Sequence, residues 1–390
     1  MALGVFFHSS LRPTRIEAGS IVVAALLSPL WFFTIGGINL NPADFIFLFV
    51  TISFILRTGH FPYSMSRKTG IAIFVFLTFV GFSLLWSPNK LSGIVSFTQY
   101  LFIFLAVVPV VTYSLRDQSV RWQVFMAIWA ATTVLTIFGL FTFVFGDISR
   151  LRDITLWYGN QNQFYWLVAS AFLCTIALVL EDSLPVGMQI GSVLLAVIEA
   201  YLIIEALTLS AILMLGAGVW LFTARLVQSH FKRGRAAFAI VTLLAGVVGF
   251  AVIIRYWDFI YLQGSLGART RQYTAAIHLG IQYFPLGVGI DGYSSSVHNA
   301  YLDYLVEVGI VGAGAFLVLV LVWCRDVLLR SLYHPTRLKP FEYAFVVVFA
   351  TYLLVILFQP VPVRRFWWIL FGASWAIVQD RLTTSSLKHD

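Results

Sequence analysis

PLGVGIDGYSSSVHNAYL, residues 285–302, is polar and glycine-rich, and it runs directly into the apolar segment from Leu305 to Trp323. Its glycines and serines interrupt helix. Its last polar pair, His298-Asn299, stands at the lip of a stretch oily enough to sit in a bilayer. A tight polar bend held between apolar segments decides the reading of the whole chain as membrane helices joined by short connections.

The bulk composition agrees. The chain has 390 residues, of which 60% are hydrophobic and 11% charged, and its mean hydropathy is +0.89. Soluble domains carry about 25% charged residues; this chain lacks the polar residues to cover itself in water. The expected fold is an all-α polytopic integral membrane protein, a single membrane domain over 1–390. Its bundle would hold about twelve transmembrane helices of roughly 20 residues each. Apolar segments fall near 20–36, 43–56, 69–86, 92–115, 122–145, 163–180, 186–205, 207–224, 237–257, 305–323, 343–359 and 364–379. The first reads as a retained helix, because no small-residue cleavage site clearly follows it. The longest outer connection, 258–304, is the main extracytoplasmic loop; within it Thr270 to Tyr283 has helical periodicity, with Tyr273, Ile277 and Ile281 on one side, as in a helix lying along the membrane surface.

The net charge of +8 is read against the membrane before any nucleic-acid partner, and none is expected. With both termini cytoplasmic, one side holds Lys90, Arg150, Arg152, Arg255, Arg269, Arg271, Arg364 and Arg365. The other side holds the remainder of the 25 Lys and Arg residues, which favours that orientation. The outer set is almost entirely arginine, a residue that grips phosphate bidentately and stays charged. An outer cavity for a pyrophosphate or another anion is one reading. Interfacial anchoring beside Trp157, Trp257, Trp367 and Trp368 is the other.

Cys174 and Cys324 lie in apolar runs without metal-ligand spacing, so neither a disulfide framework nor a metal site is expected. Glu199, within an apolar segment, is a candidate by its position alone, though such groups also serve structurally. Gly287, Gly289 and Gly292 spell the dinucleotide fingerprint, but its strand–turn–helix context is missing, so these glycines are read as making a tight bend. His278 and His298 are the only outward-facing histidines, and an imidazole can take a proton from a sugar hydroxyl. Capping the next helix is the plain alternative for His298. A direct couple to Glu307 is disfavoured, because helical periodicity puts the two on opposite faces.

These residues resemble the bacterial O-antigen ligase and O-antigen polymerase superfamily of GT-C type membrane glycosyltransferases. The resemblance runs through Leu85-Trp86-Ser87-Pro88, Gly159-Asn160-Gln161-Asn162, Leu207-Thr208-Leu209-Ser210, Arg269 with Tyr273, Phe284 to Gly289, His298-Asn299-Ala300-Tyr301-Leu302 with Glu307, Gly309 and Gly312, and Arg364-Arg365-Phe366-Trp367. It implies a metal-independent enzyme without cofactor, on the outer face of the bacterial inner membrane. The donor would be an undecaprenyl-pyrophosphate-linked glycan. His298 would be the general base and Arg269 would bind the pyrophosphate, supported by Asn299, Glu307, Gly287 and Gly289. In the family an arginine usually follows the Thr-x-Ser serine; here Ala211 stands there, so Arg150, Arg152, Arg271 or Arg364 takes its place or donor binding differs. The short outer loop between Gly289 and His298 favours a polymerase of surface polysaccharide, which uses a glycan acceptor. The alternatives are a ligase using lipid A-core and, in another class, a flippase or permease for the lipid-linked glycan. A chain-length regulator is a further expected partner.

Overall fold

Several helix starts supply a side-chain partner for the unpaired backbone N–H groups. In the computed structural model, Thr14 and Glu17 form a reciprocal capping box at the start of α1 (Arg15–Leu27). Asn41 and Asp44 do the same for α2 (Pro42–Thr58), which ends on a left-handed Gly59. Ser66 caps α3 (Arg67–Ser83). The structure describes residues 12–29, 33–35, 38–62, 65–146, 151–154, 156, 161–206, 208–230, 266–293, 297–334, 337–359 and 365–383. The remaining helices are α4 (Lys90–Ser114), α5 (Gln118–Phe145), α6 (Gln161–Val179), α7 (Val186–Glu205), α8 (Leu209–His230), α9 (Leu266–Gln282), α10 (Ala300–Tyr333), α11 (Pro340–Val355) and α12 (Arg365–Thr383).

Every expected apolar segment coincides with one of these helices, except 237–257, which lies outside the described residues. Two corrections follow. The first segment does not stay helical to residue 36. It passes Ser28-Pro29 and gives way to a two-stranded antiparallel hairpin, β1 (Phe33–Ile35) and β2 (Ile38–Leu40), with Ile35 opposite Ile38. Proline stops the helix. The region 258–304 is also not one large loop, since its described part is α9 followed by a compact turn.

Among the described residues six helices, α4, α5, α6, α7, α8 and α10, are long and apolar enough to cross a membrane, and α11 is a shorter apolar helix. Their outward faces remain apolar: on α7, Leu194 is 63% exposed and Val193, Val197, Ile198 and Ile204 lie beside it, while α5 exposes Val134, Ile137, Phe138 and Phe141. Such surface is stable only against lipid. Between helices, indole N–H groups meet hydroxyls, Trp129 to Thr175, Trp166 to Ser210 and Trp323 to Ser374, at 2.8–3.0 Å. These bonds satisfy donors that lipid cannot.

The bundle has two chemically different ends. At one, Arg121 in the first turn of α5 is wholly buried. It donates to Glu342 of α11 at 2.9 Å, to Asp380 of α12 and to the carbonyls of Leu115 and Arg116. Beside it Arg57 bonds Glu17 at 2.9 Å. At the other end Arg365 pairs with Asp44 at 2.6 Å. Arg57, Arg116 and Arg121 thus fall at one end and Arg269 and Arg365 at the other, the same division that the charge distribution gave. Arg121→Ala is expected to cost about 3–5 kcal/mol, because it removes the buried guanidinium that Glu342 meets at 2.9 Å. Thermal unfolding in detergent measures it, and adding Glu342→Leu should restore part of the loss.

Candidate functional site

The turn that the sequence singled out is a splice between two helices. Inside α10, Gly309 has φ 70° and ψ −173°, so the helix is broken into a short first half ending at Val308 and a long second half. The break would strand helix carbonyls in an apolar setting. The turn supplies the missing donors: Val288 N–H bonds Val306 O at 2.8 Å and Gly289 N–H bonds Glu307 O at 2.9 Å. In return Ile310 N–H bonds Pro285 O at 3.0 Å. Gly287 and Gly289 are left-handed, with φ 75° and 94°. A Cβ on Gly287 would stand 2.6 Å from Val306 O, and one on Gly289 would stand 2.4 Å from the Ser87 Cα. A Cβ on Gly309 would meet Pro285 O at 2.0 Å. Gly309→Ala is therefore expected to destabilise the protein by about 2 kcal/mol or more, read as a lowered melting temperature.

The other end of α3 and the start of α4 hold this turn in place. Ser87 Oγ donates to Ile290 O at 2.7 Å and Ile290 N–H donates to Ser83 Oγ at 3.2 Å. Ser92 and Ser96 both donate to Asp291 Oδ2, at 2.9 and 2.7 Å. The Leu-Trp-Ser-Pro and Pro-Leu-x-Gly motifs therefore touch each other. Glu307 belongs to this splice, where its carboxylate accepts from Asp291 N–H. The serines and Asp291 are residues that sequence reasoning missed. Ser87 lay inside a quoted motif, but nothing in the chain marks a contact across some two hundred residues.

His298 sits at the opposite end of the short half-helix. Asn299 is its N-cap, accepting from Tyr301 and Leu302 N–H at 3.0 and 3.1 Å. Ala300 N–H bonds Ile356 O at 2.9 Å and Asp303 N–H bonds Asn299 O at 2.8 Å. The first-turn donors are thus all taken, so this terminus offers the field of its dipole and no free N–H. His298 itself is half-buried, with φ 54°, an uncommon conformation for a residue other than glycine.

Helix α9 brings Arg269 to this point. Its buried stripe is Arg269, Tyr273, Ala276 and Gly280, at spacings of four, three and four. The expected helix is present; Tyr273 is half-buried against the bundle, while Ile277 and Ile281 are exposed. Ala276 packs with Val297 and Val306 in a small apolar cluster apart from the main core, clamping α9 to the short half of α10. Tyr273 is the joint, its hydroxyl shared between His298 O at 3.2 Å and Leu357 O at 3.0 Å. Burial raises the Tyr273 pKa while Arg269 and Asn299 pull it back, so the phenol stays a donor.

Arg269 is 9% exposed, with its guanidinium 6.0 Å from the Phe358 ring centroid. No carboxylate among the described residues pairs with it. Burial lowers its pKa from the ordinary value, with Tyr273 opposing. Its charge is thus left without an ion-pair partner among the described residues.

The other expected arginines do not converge here among the described residues. Arg271 is exposed, two residues along α9 and so off the buried stripe. Arg150 and Arg364 lie outside the described residues, and Arg152 lies in a single 3-10 turn, Leu151–Asp153. Arg365 is committed to Asp44. Ala211, where the resembling family carries arginine, is fully buried in the main core, beside the Ser210 that bonds Trp166. Glu199 is buried against Thr175 and Cys174 of α6 and belongs to a different part of the bundle. No protein-family model matches this sequence, and none of the curated proteins matches it as a relative.

Proposed function

We propose that this chain is a metal-independent membrane glycosyltransferase of the O-antigen polymerase kind. Its donor is an undecaprenyl-pyrophosphate-linked glycan and its acceptor a second glycan. The observation that carries the reading is Arg269, a buried cation that no carboxylate among the described residues pairs with, one turn along α9 from the Tyr273 whose hydroxyl bonds the backbone of a half-buried histidine. Arginine suits a diphosphate because its planar fork binds two oxygens at once. An acceptor hydroxyl attacks the anomeric carbon, and the bond from that carbon to the pyrophosphate oxygen breaks. The hydroxyl proton passes to His298, and Arg269 steadies the charge growing on the leaving lipid pyrophosphate. The exposed apolar helix faces leave room for the polyprenyl tail.

In the same proposal the shorter helices α1, α2, α3 and α12 complete a bundle of about twelve spans. The Arg121 end faces the cytoplasm with both termini, and the His298 end faces outward across a bacterial inner membrane. The purified protein in liposomes with the lipid-linked glycan tests the reading. A new glycosidic product supports it. Flipped but unaltered lipid makes the protein a transporter, and product only when lipid A-core is added makes it a ligase.

A further inference from the structure

His298 holds a left-handed backbone, φ 54°, and a residue other than glycine stays there only where its surroundings over-determine it. The restraints described so far act at or after its carbonyl: Tyr273 on His298 O, the Asn299 cap and Ala300 N–H on Ile356 O. Pinned on that side alone, the residue could relieve its strain by swinging the chain that enters it.

Val297 is that chain, and it is held twice. Its side chain is 1% exposed and packs with Ala276 and Val306. Its N–H donates to Asp303 Oδ1 at 3.0 Å. Asp303 lies in the first turn of α10, with its own N–H on Asn299 O at 2.8 Å. An acid in a first turn needs only its charge to suit the positive end of the helix. This one reaches back past the cap and past His298 to the N–H on the far side. Asp303 therefore ties down both neighbours of His298, Asn299 through its backbone and Val297 through its carboxylate, and the two bonds close a ring around the histidine.

We propose that Asp303 is a positioning residue for His298: its acceptor oxygen, through Val297 N–H, fixes the backbone from which the imidazole projects. Its use in catalysis rests on the reading of His298 as general base.

Two variants test it. Asp303→Asn keeps an oxygen at the Oδ1 position, and Asp303→Leu keeps the bulk and removes the acceptor. The first readout needs no activity: labelling of His298 by diethyl pyrocarbonate in the purified protein, followed by mass spectrometry. Asp303→Leu should raise the labelling rate about threefold to tenfold, the shift that loss of one hydrogen bond allows. Asp303→Asn should stay within a factor of about two of wild type. Trp323→Phe, which loses the core bond to Ser374, should lower the melting temperature and leave the labelling unchanged. The second readout is glycosyl transfer. Asp303→Leu should lower kcat about tenfold or more with the donor KM within a factor of about two, and Asp303→Asn should restore most of the loss. Unchanged labelling in Asp303→Leu overturns the proposal. So does an asparagine variant that behaves like leucine, a Trp323→Phe protein that labels like Asp303→Leu, or a loss of transfer carried by KM alone. Raised labelling in a protein whose wild type transfers no glycan supports the hold on His298 and overturns the general-base reading.

Discussion

His298→Ala is expected to lower glycosyl transfer about 100- to 10,000-fold, the usual contribution of a positioned general base, with normal membrane insertion. His298 is half-buried, and the backbone around it is pinned from three sides. Tyr273 holds its carbonyl, Asn299 caps the helix that follows, and Ile356 O receives Ala300 N–H. Alanine at φ 54° adds a modest strain, so the comparison needs His298→Asn as well. Asparagine tolerates that backbone region and offers no base. Both variants should be inactive, and the asparagine form should melt closer to wild type. Transfer undiminished in a well-expressed asparagine variant would remove His298 from the chemistry.

Arg269→Met is expected to weaken donor binding about 10- to 100-fold, the loss of one or two hydrogen bonds to a charged group, without lowering the melting temperature. The second half of that expectation is diagnostic. A buried arginine in an ion pair stabilises its fold, and removing it leaves a stranded carboxylate. No described carboxylate pairs with Arg269, so an apolar chain of similar length relieves a desolvation cost at no loss of partner. Arg269→Lys keeps the charge but not the fork and should fall between wild type and methionine. Arg271→Met, on the exposed side of α9, should leave donor binding within a factor of about two.

How much of this was legible in the chain depends on the range of the interactions involved. Helices α4, α5, α7 and α10 announce themselves, because membrane helices need long apolar runs and few local signals. The bend at Gly287 and Gly289 was legible as a bend. Its purpose was not, because the carbonyls it caps belong to α10 and were exposed only by the break at Gly309, a residue that looks like any other small residue in an apolar run. The buried face of α9 was not legible for a related reason. Ala276 and Gly280 bury themselves because close packing against α10 favours small residues, whereas the large Ile277 and Ile281 draw the eye and face outward. Arg269 and His298 were both legible as candidates. Their connection was not, since it runs through the Tyr273 hydroxyl and two carbonyl oxygens, one of them contributed by Leu357. Charge counting sorted the arginines by end of the bundle but could not tell that Arg121 and Arg365 are spent in ion pairs while Arg269 pairs with no described carboxylate.

The central claim is that Arg269 and His298 form one site for a lipid-linked diphosphate. A structure by electron cryomicroscopy of the protein with bound undecaprenyl pyrophosphate tests it most directly. The account predicts the diphosphate against the Arg269 guanidinium, with the His298 imidazole on the side where the sugar would attach. Density for the diphosphate elsewhere in the bundle, or an empty Arg269 at saturating lipid, would contradict it.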